Sequence, residues 1–263
     1  MKKLILIKLG GGLITYKDRP YTIRLKVIKK LAKEIKKIIS KKKDAFFIIG
    51  NGAGSFGHYE AVKYKISGGI KNENQKYGFA VVQNSVKVLN KIIVDELLKE
   101  KINVISIHQS SILTSINGKL KNIFTDSLEG FLNLKIIPAI YGDIVYDEKK
   151  GAHIFSTEDA FSFLINKFHG KKYKVEKVIY LTTVDGVLDK KNMVIPKIKD
   201  KMQLKKNLFN TDDFDVTGGM KHKVEQGLYL AKQGIKVYIT SGVRKESIYH
   251  AVFDQNFYGT IVG

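Results

Sequence analysis

The chain of 263 residues is 44% hydrophobic, which allows one large α/β domain or two closely packed lobes with an ample core. The absence of cysteine excludes disulfides, thiolate metal sites and cysteine nucleophiles together. The net charge is +21, but the lysines are spread along the whole chain and arginine is rare, so we expect a small anionic substrate and no nucleic-acid partner.

The segment Met1–Ile7, with an apolar run that starts at Leu4, resembles the start of a signal peptide. Because Lys8 interrupts this run and no cleavage-like segment follows, we interpret it as a buried first strand. The later apolar runs are also of strand length, far short of the ~20 residues that cross a bilayer. We therefore expect no membrane partner, and the absence of cysteine adds the default expectation of a cytoplasmic location.

Strand-like apolar runs then alternate with helix-length segments, a pattern typical of a mostly parallel sheet with helices on both faces. The predicted strands are Leu4–Leu9, Ala45–Ile49, Val104–Ile107, Ile136–Ile140, Val175–Leu181 and Lys236–Thr240. The predicted helices are Thr22–Ser40, Gln75–Lys99, Ser127–Asn133, Thr157–Phe168 and Gly219–Gln233, with hairpins near Lys119–Phe124 and Ile144–Ile154. Since no linker or internal repeat is visible, we expect one unit over residues 1–263, with two lobes.

The first strand ends in the run Lys8-Leu9-Gly10-Gly11-Gly12, and Lys17 follows shortly afterwards. A charge at the end of an apolar strand needs a partner, so Lys8 is a candidate ligand for a phosphate group. For Lys17, plain solvation is the competing interpretation, because lysine is so abundant in this chain.

The second strand leads directly into the run Gly50-Asn51-Gly52-Ala53-Gly54-Ser55-Phe56-Gly57-His58. Glycine lets the backbone turn sharply and brings amide N–H groups close to an anion, and an imidazole can donate a hydrogen bond to a phosphate. The run matches neither the P-loop nor a strict G-x-G-x-x-G pattern, so a tight turn with a surface histidine is the alternative. Both glycine turns are predicted to face one cleft at the carboxyl ends of neighbouring strands.

Two later segments add to this pattern. The segment Asp215–Lys223 predicts a glycine turn that opens a helix, and a helix N-terminus suits a nucleotide phosphate. Lys223 lies in the first turn of that helix, where a cation is unfavourable unless an anion compensates it. The segment Tyr180–Val187 predicts a strand that ends in a polar turn.

Taken together and in this order, the four segments resemble the amino acid kinase superfamily over nearly the whole chain. The resemblance implies a three-layer αβα sandwich with an open, mostly parallel sheet, and commonly a homodimer. Within the superfamily, the loop ending in Gly57-His58 is similar to that of isopentenyl phosphate kinases, and fosfomycin kinases share it. The resemblance to isopentenyl phosphate kinases implies ATP-dependent phosphorylation of isopentenyl phosphate to isopentenyl diphosphate. A kinase for another small phosphate or phosphonate and a non-catalytic nucleotide-binding regulator are the alternatives.

The resemblance also assigns roles to individual residues. Lys8 would bridge the donor and acceptor phosphates, Lys17 would contact the transferring group, and His58 would hydrogen-bond the acceptor. The acceptor side would further comprise Gly11, Gly54, Ser55, Gly57, Gly142 and Asp143. The nucleotide side would comprise Gly10, Glu158, Asp159, Thr182, Asp185, Gly186, Gly218 and Gly219, with Lys223 as a further catalytic lysine. The implied acceptor-binding lobe covers about residues 1–170 and the nucleotide-binding lobe about residues 171–263.

The chain departs from the family pattern at several positions. Gly12 stands where serine is frequent, Asn51 where many members have a first histidine, and Thr183 where an aspartate is common. The carboxylate that normally orients the lysines falls on Glu158 or on its neighbour Asp159, and the sequence leaves this choice open.

The implied cofactors are ATP and Mg²⁺, with the metal held mainly by ATP and no metal site of the protein's own. No strong base is required, because a phosphate with a second pKa of ~6 is already ionised near neutral pH.

A prenyl tail would need an apolar pocket near the phosphate loop. Candidates are Phe79, Val82, Val86 and Ile112, although core packing is the simpler interpretation of each.

Overall fold

The computed structural model describes residues 1–200 and 218–263, so the predicted turn residues Asp215, Val216 and Thr217 lie outside the described residues. The strands are β1 (Lys2–Leu9), β2 (Ala45–Asn51), β3 (Val104–Ser106), β4 (Leu113–Ile116), β5 (Lys119–Ile123), β6 (Ile137–Tyr141), β7 (Asp143–Asp147), β8 (Gly151–Phe155), β9 (Tyr173–Thr182), β10 (Lys197–Ile198), β11 (Lys236–Ser241) and β12 (Thr260–Val262). The helices are α1 (Gly11–Ile14), α2 (Leu25–Lys41), α3 (Gly54–Lys63), α4 (Glu73–Lys99), α5 (Gln109–Ile112), α6 (Asp126–Asn133), α7 (Thr157–Phe168), α8 (Gly218–Ala231) and α9 (Ser247–Phe253), with a 3₁₀ turn at Ile66–Gly68.

Eight strands form one open sheet in the order β10-β12-β11-β9-β1-β2-β6-β3. The pairings from β11 across to β3 are all parallel, and β12 runs antiparallel to β11. In this arrangement Lys8 lies opposite Gly50 on one side and Tyr180 on the other. The predicted fold class, an α/β protein with an open and mostly parallel sheet, is confirmed.

The side chains of β1 alternate between two hydrophobic cores, as a strand covered on both faces requires. Leu4 and Leu6 belong to the core that contains residues of α6, α7 and α8. Ile5 and Ile7 belong to the opposite core, with residues of α2, α4 and α9. Continuing the alternation places Lys8 on the first face, at the carboxyl end of the sheet.

A second, four-stranded sheet has the order β5-β4-β7-β8. Its antiparallel pairs, β4 with β5 and β7 with β8, are the two hairpins predicted from the turn signals. None of the helices in the ranges 1–200 and 218–263 is long and apolar enough to span a membrane.

The helix α3 was not predicted, because its sequence begins inside the glycine-rich run. In the structure β2 continues to Asn51, and α3 starts at Gly54, so His58 stands on a helix and not in a loop. The turn between strand and helix is therefore only two residues long. Gly54 itself has a φ of +53°, a left-handed conformation that glycine adopts without steric cost.

Candidate active site

The two glycine turns meet at the carboxyl ends of β1 and β2. The N–H of Gly52 donates to the carbonyl of Leu9 at 2.9 Å. A Cβ on Gly11 would lie 2.6 Å from the nitrogen of Gly54, and a Cβ on Gly52 would lie 2.7 Å from the nitrogen of Gly11. Since real Cβ atoms do not approach backbone so closely, the contact requires glycine on both sides. The structure thus brings the predicted phosphate turns into one site.

Thr15 links the two turns, and sequence reasoning missed it. Its hydroxyl donates to the carbonyl of Gly11 at 2.8 Å and accepts from the N–H of Ser55 at 3.0 Å. The N–H of Gly57 donates at 3.2 Å to a carbonyl at the start of α3. Two amides that the sequence assigned to the substrate phosphate, those of Ser55 and Gly57, are therefore used inside the protein because the helix begins at Gly54. The N–H of Gly54, at the first helical position, has no acceptor within the helix.

A buried cluster of charges lies beside these turns. The ammonium group of Lys8 contacts Oε2 of Glu158, and the ammonium group of Lys223 lies 3.4 Å from Oε1 of the same carboxylate. Lys8 is 5% exposed and Glu158 4%. Burial alone would raise the pKa of Glu158, but the two lysines lower it to about 2, so the carboxylate stays ionised. The pKa of Lys223 is lowered by burial and by the charge of Lys8.

Asp159, the neighbour of Glu158, faces a different set of groups. It accepts hydrogen bonds from the hydroxyl of Ser156 at 2.6 Å and from the amide of Gln226 at 2.9 Å, and it lies 3.3 Å from Nε2 of His222. The hydrogen bond to Asp159 raises the pKa of His222. Of the two carboxylates that the sequence left open, only Glu158 contacts the lysines in the described structure.

A cavity of about 260 Å³ opens next to the cluster. Its polar lining consists of Lys8, Gly52, Gly54, Gly57, His58, Gly142, Asp143, Ser156, Thr157 and Glu158. Its apolar lining consists of Ala53, Ala61, Val82, Val86, Ile154 and Phe155. His58 is exposed and thus able to reach a ligand. Of the proposed tail residues, Val82 and Val86 line the cavity, whereas Phe79 and Ile112 pack against the hydrophobic cores.

Two of the polar lining residues are held firmly by their surroundings. Asp143 is buried and accepts hydrogen bonds from the N–H groups of Ser110 at 3.0 Å and Ile144 at 2.9 Å. Burial raises its pKa, which these hydrogen bonds partly oppose. Thr157, which sequence reasoning also missed, donates its hydroxyl to the carbonyl of Asn51 at 2.7 Å and so joins α7 to the end of β2.

Lys17 is exposed and lies outside the cavity lining. Its side chain passes Gly12, where a Cβ would approach the Lys17 Cε to 2.7 Å. Because the Lys17 side chain is flexible and exposed, a small shift would relieve this contact, so it does not by itself require glycine at position 12. The charge of Lys17 contributes to the lowered pKa of Lys223, which places both ammonium groups within electrostatic reach of each other.

The remaining predicted nucleotide residues form a second group beside the first turn. The N–H of Gly10 donates to the carbonyl of Leu181, next to Thr182, at 3.0 Å. Asp185 forms a forked ion pair with Arg244 at 3.1 and 2.7 Å.

Close packing requires glycine at position 186 of this group, and two further glycines lie at the start of a helix. A Cβ on Gly186 would lie 2.7 Å from the hydroxyl of Thr260. Gly218 and Gly219 open α8, and the Gly219 carbonyl accepts from Lys223 at 2.9 Å. The sequence analysis assigned no role to Arg244. Arginine is rare in this chain, so its presence at this position could have marked it as a candidate site residue.

An open αβα sheet that presents two glycine turns and a buried lysine at the carboxyl ends of its central strands, with a second lysine at the start of a nearby helix, suits an enzyme of phosphoryl transfer. The model of the amino acid kinase family matches residues 3–241. The chain belongs to the amino acid kinase family.

Within this family, the chain is similar to several isopentenyl phosphate kinases over nearly its whole length. The chain is 33% identical to the isopentenyl phosphate kinase of Methanocaldococcus jannaschii, with 96% of each chain covered. It is 32% identical to the isopentenyl phosphate kinase of Methanothermobacter thermautotrophicus, with 98% of each covered. A crystal structure of isopentenyl phosphate kinase superimposes with a TM-score of 0.82 at 27% identity, covering 98% of this chain and 99% of that one.

Proposed function

We propose that the protein transfers the γ-phosphoryl group of ATP to isopentenyl phosphate, giving isopentenyl diphosphate. The observation that carries this proposal is one cavity in which Lys8, Gly54 and His58 lie against apolar walls. A phosphate with a short hydrocarbon tail matches both halves of such a cavity. The whole-length relatives named isopentenyl phosphate kinase support the same acceptor.

The acceptor phosphate is held at the start of α3. His58 donates a hydrogen bond to it, and the N–H of Gly54 points to it from the first turn, where the helix dipole also favours an anion. The hydroxyl of Ser55 is buried and has no hydrogen-bond partner among the described residues, but Ser55 does not line the cavity, so we assign it no contact with the phosphate. Gly142 and Asp143 close the acceptor side of the cavity.

The reaction joins two anionic groups, so charge compensation is the main task of the protein. Glu158 keeps Lys8 and Lys223 side by side, and with Lys17 these lysines leave the site positively charged. Lys8 bridges the donor and acceptor phosphates. A non-bridging oxygen of the acceptor phosphate attacks the γ-phosphorus, the bond from that phosphorus to the β–γ bridging oxygen breaks, and ADP leaves. No proton transfer is needed, since the attacking oxygen is already ionised.

The nucleotide lies on the side of Thr182, Asp185 and Gly186, with its phosphates near Gly10 and the start of α8 at Gly218 and Gly219. This divides the chain into an acceptor lobe of about residues 1–170 and a nucleotide lobe of about residues 171–263. In residues 1–200 and 218–263, no three His, Asp or Glu side chains are grouped to hold a metal ion. In this proposal Mg²⁺ enters as the ATP complex, because this ion is usually held by substrate phosphates and water with few protein ligands.

A homodimer and a cytoplasmic location belong to the same proposal: the family resemblance implies the first, and the second is the default expectation from the sequence. Light scattering tests the first: a dimer has about twice the 29.7 kDa mass of the chain.

The activity is tested with an acceptor panel under Mg-ATP: isopentenyl phosphate, dimethylallyl phosphate, fosfomycin, acetylglutamate and UMP. We expect the highest kcat/KM with isopentenyl phosphate. A preference for fosfomycin would transfer the proposal to a phosphonate kinase. Turnover of acetylglutamate or UMP alone would contradict it, and ATP binding without turnover of any acceptor would favour a regulator.

A further inference from the structure

Lys17 lies in a short loop, residues 15–23, which we call the Lys17 loop. The loop is closed at its base by a bridge between Thr15 and Ile23 and by a hydrogen bond of 2.9 Å from the N–H of Tyr16 to the carbonyl of Thr22. Lys17 itself makes no ion pair within the described ranges. Its position therefore depends on how the rest of the loop is fixed.

Tyr21 fixes the far side of this loop to α3. Its hydroxyl donates a hydrogen bond to Oε1 of Glu60. Its ring packs edge-on against Phe56, with centroids 5.3 Å apart, and against Tyr59, with centroids 6.3 Å apart. All three contacted residues lie on α3 and flank His58, so one side chain joins the Lys17 loop to the helix that carries the acceptor histidine.

The acceptor of this hydrogen bond is an unusual group. Glu60 is 4% exposed, and its second oxygen, Oε2, has no hydrogen-bond partner among the residues described. The nearest cation is Lys63, whose ammonium group lies 3.8 Å from Oε2. A buried carboxylate with so few donors makes the Tyr21 hydroxyl important to its solvation. Burial and Glu60 raise the pKa of Tyr21 to about 12, so the hydroxyl remains a donor at neutral pH.

We propose that Tyr21 is a positioning residue, whose hydrogen bond to Glu60 holds the Lys17 loop against α3 and so keeps Lys17 in place relative to His58. Lys17 acts on the transferring phosphoryl group and His58 on the acceptor. The hydrogen bond between Tyr21 and Glu60, which we call the latch, therefore fixes the position of Lys17 relative to His58. This inference rests on the function proposed above.

The variant Tyr21→Phe removes the hydroxyl and keeps the ring contacts with α3. The matched control is Tyr16→Phe in the same loop, because Tyr16 and Tyr21 are similarly exposed, at 40% and 43%. The hydroxyl of Tyr16 makes no hydrogen bond in the part of the chain that the structure describes. Both variants are also made in a Lys17→Met background.

We expect Tyr21→Phe to lower kcat about tenfold and Tyr16→Phe to change it less than twofold. If Tyr21 acts through Lys17, Tyr21→Phe changes kcat less than twofold once Lys17 is methionine. An equal loss of kcat in both backgrounds would overturn the inference, because a general structural defect does not depend on Lys17. A kcat within twofold of wild type for Tyr21→Phe alone would overturn it as well.

A second measurement needs no turnover. Amide hydrogen exchange over residues 16–24 of the ligand-free protein is expected to be faster in Tyr21→Phe than in wild type or Tyr16→Phe, with exchange in α4 unchanged. Unchanged exchange in the loop would contradict the latch even in an active kinase. Faster exchange in a protein that phosphorylates no acceptor would support the latch and refute the proposed function.

Discussion

Replacing Glu158 by glutamine tests the charge cluster on which the site depends. The cluster lowers the pKa of Glu158 from 4.5 to about 2. At about 1.4 kcal/mol for each pKa unit, the ionised carboxylate contributes on the order of 3 kcal/mol to stability at neutral pH. Removing one partner of a buried ion pair costs about 3–5 kcal/mol, which is the same loss considered from the side of Lys8. We therefore expect Glu158→Gln to lower the free energy of unfolding at pH 7 by about 3 kcal/mol.

The pH dependence of this loss has a definite sign. Because the folded-state pKa lies below the unfolded one, the contribution is fully present above pH 4.5 and disappears as the pH falls through about 2. The difference between wild type and Glu158→Gln is thus expected to be constant from pH 7 to pH 5 and to shrink as the pH falls further. Urea unfolding measured at several pH values gives both quantities.

Measurements of kcat distinguish the role of Glu158 from that of Asp159. We expect Glu158→Gln to lower kcat by on the order of a hundredfold, since Lys8 and Lys223 lose the group that holds them together. Asp159→Asn is the control, because Asp159 contacts Ser156, His222 and Gln226 and neither lysine. Its kcat is expected to stay within a few-fold of wild type. An unfolding free energy within 1 kcal/mol of wild type for Glu158→Gln, or equal loss of kcat in both variants, would refute this reasoning.

Three further substitutions address the rest of the cavity. His58→Ala is expected to lower kcat by about 10²–10³ and His58→Gln to retain part of the activity; near-normal turnover of the alanine variant in a coupled ADP assay would contradict the donor role. Gly11→Ala brings a Cβ to 2.6 Å from the nitrogen of Gly54, so a loss of about 1–3 kcal/mol in unfolding free energy is expected, and unchanged urea unfolding would show that the turns can separate freely. Val82→Phe fills the apolar wall and is expected to raise KM for isopentenyl phosphate about tenfold with KM for ATP unchanged; an equal rise in both KM values in initial-rate measurements would contradict a tail pocket there.

The continuous apolar run of the first strand explains why so much of the fold could be predicted. Leu4 and Leu6 face one core while Ile5 and Ile7 face the other, so a strand covered on both sides follows from the sequence alone. Lys8 follows this run near the end of β1 and so lies at the carboxyl edge of the sheet, where ligands of open α/β sheets bind. The helix α3 could not be predicted, since its glycines favour a turn and its stability comes from contacts made by Thr15 and by the buried Phe56.

The details of the site depend on contacts between distant parts of the chain. Glu158 and Asp159 are adjacent, so they point in directions about 100° apart on α7, and only the packing of that helix on β1 decides which one meets Lys8. The contact of Tyr21 with Glu60 spans 39 residues and leaves no periodic trace in the sequence. Phe79 and Val82 lie on the same helix, yet only Val82 reaches the cavity, a distinction that the apolar pattern does not carry.

In the proposed reaction, the acceptor phosphate and the γ-phosphate of ATP are held end to end in the cavity and become linked. Phosphorus NMR of the protein with Mg-ATP and isopentenyl phosphate tests it most directly, with Lys8→Met as the control. We expect the acceptor monophosphate signal to give way to the two coupled signals of a diphosphate as ADP appears, and the control to form this product far more slowly. Release of inorganic phosphate with the acceptor signal unchanged, or equal diphosphate formation by Lys8→Met, would contradict the account.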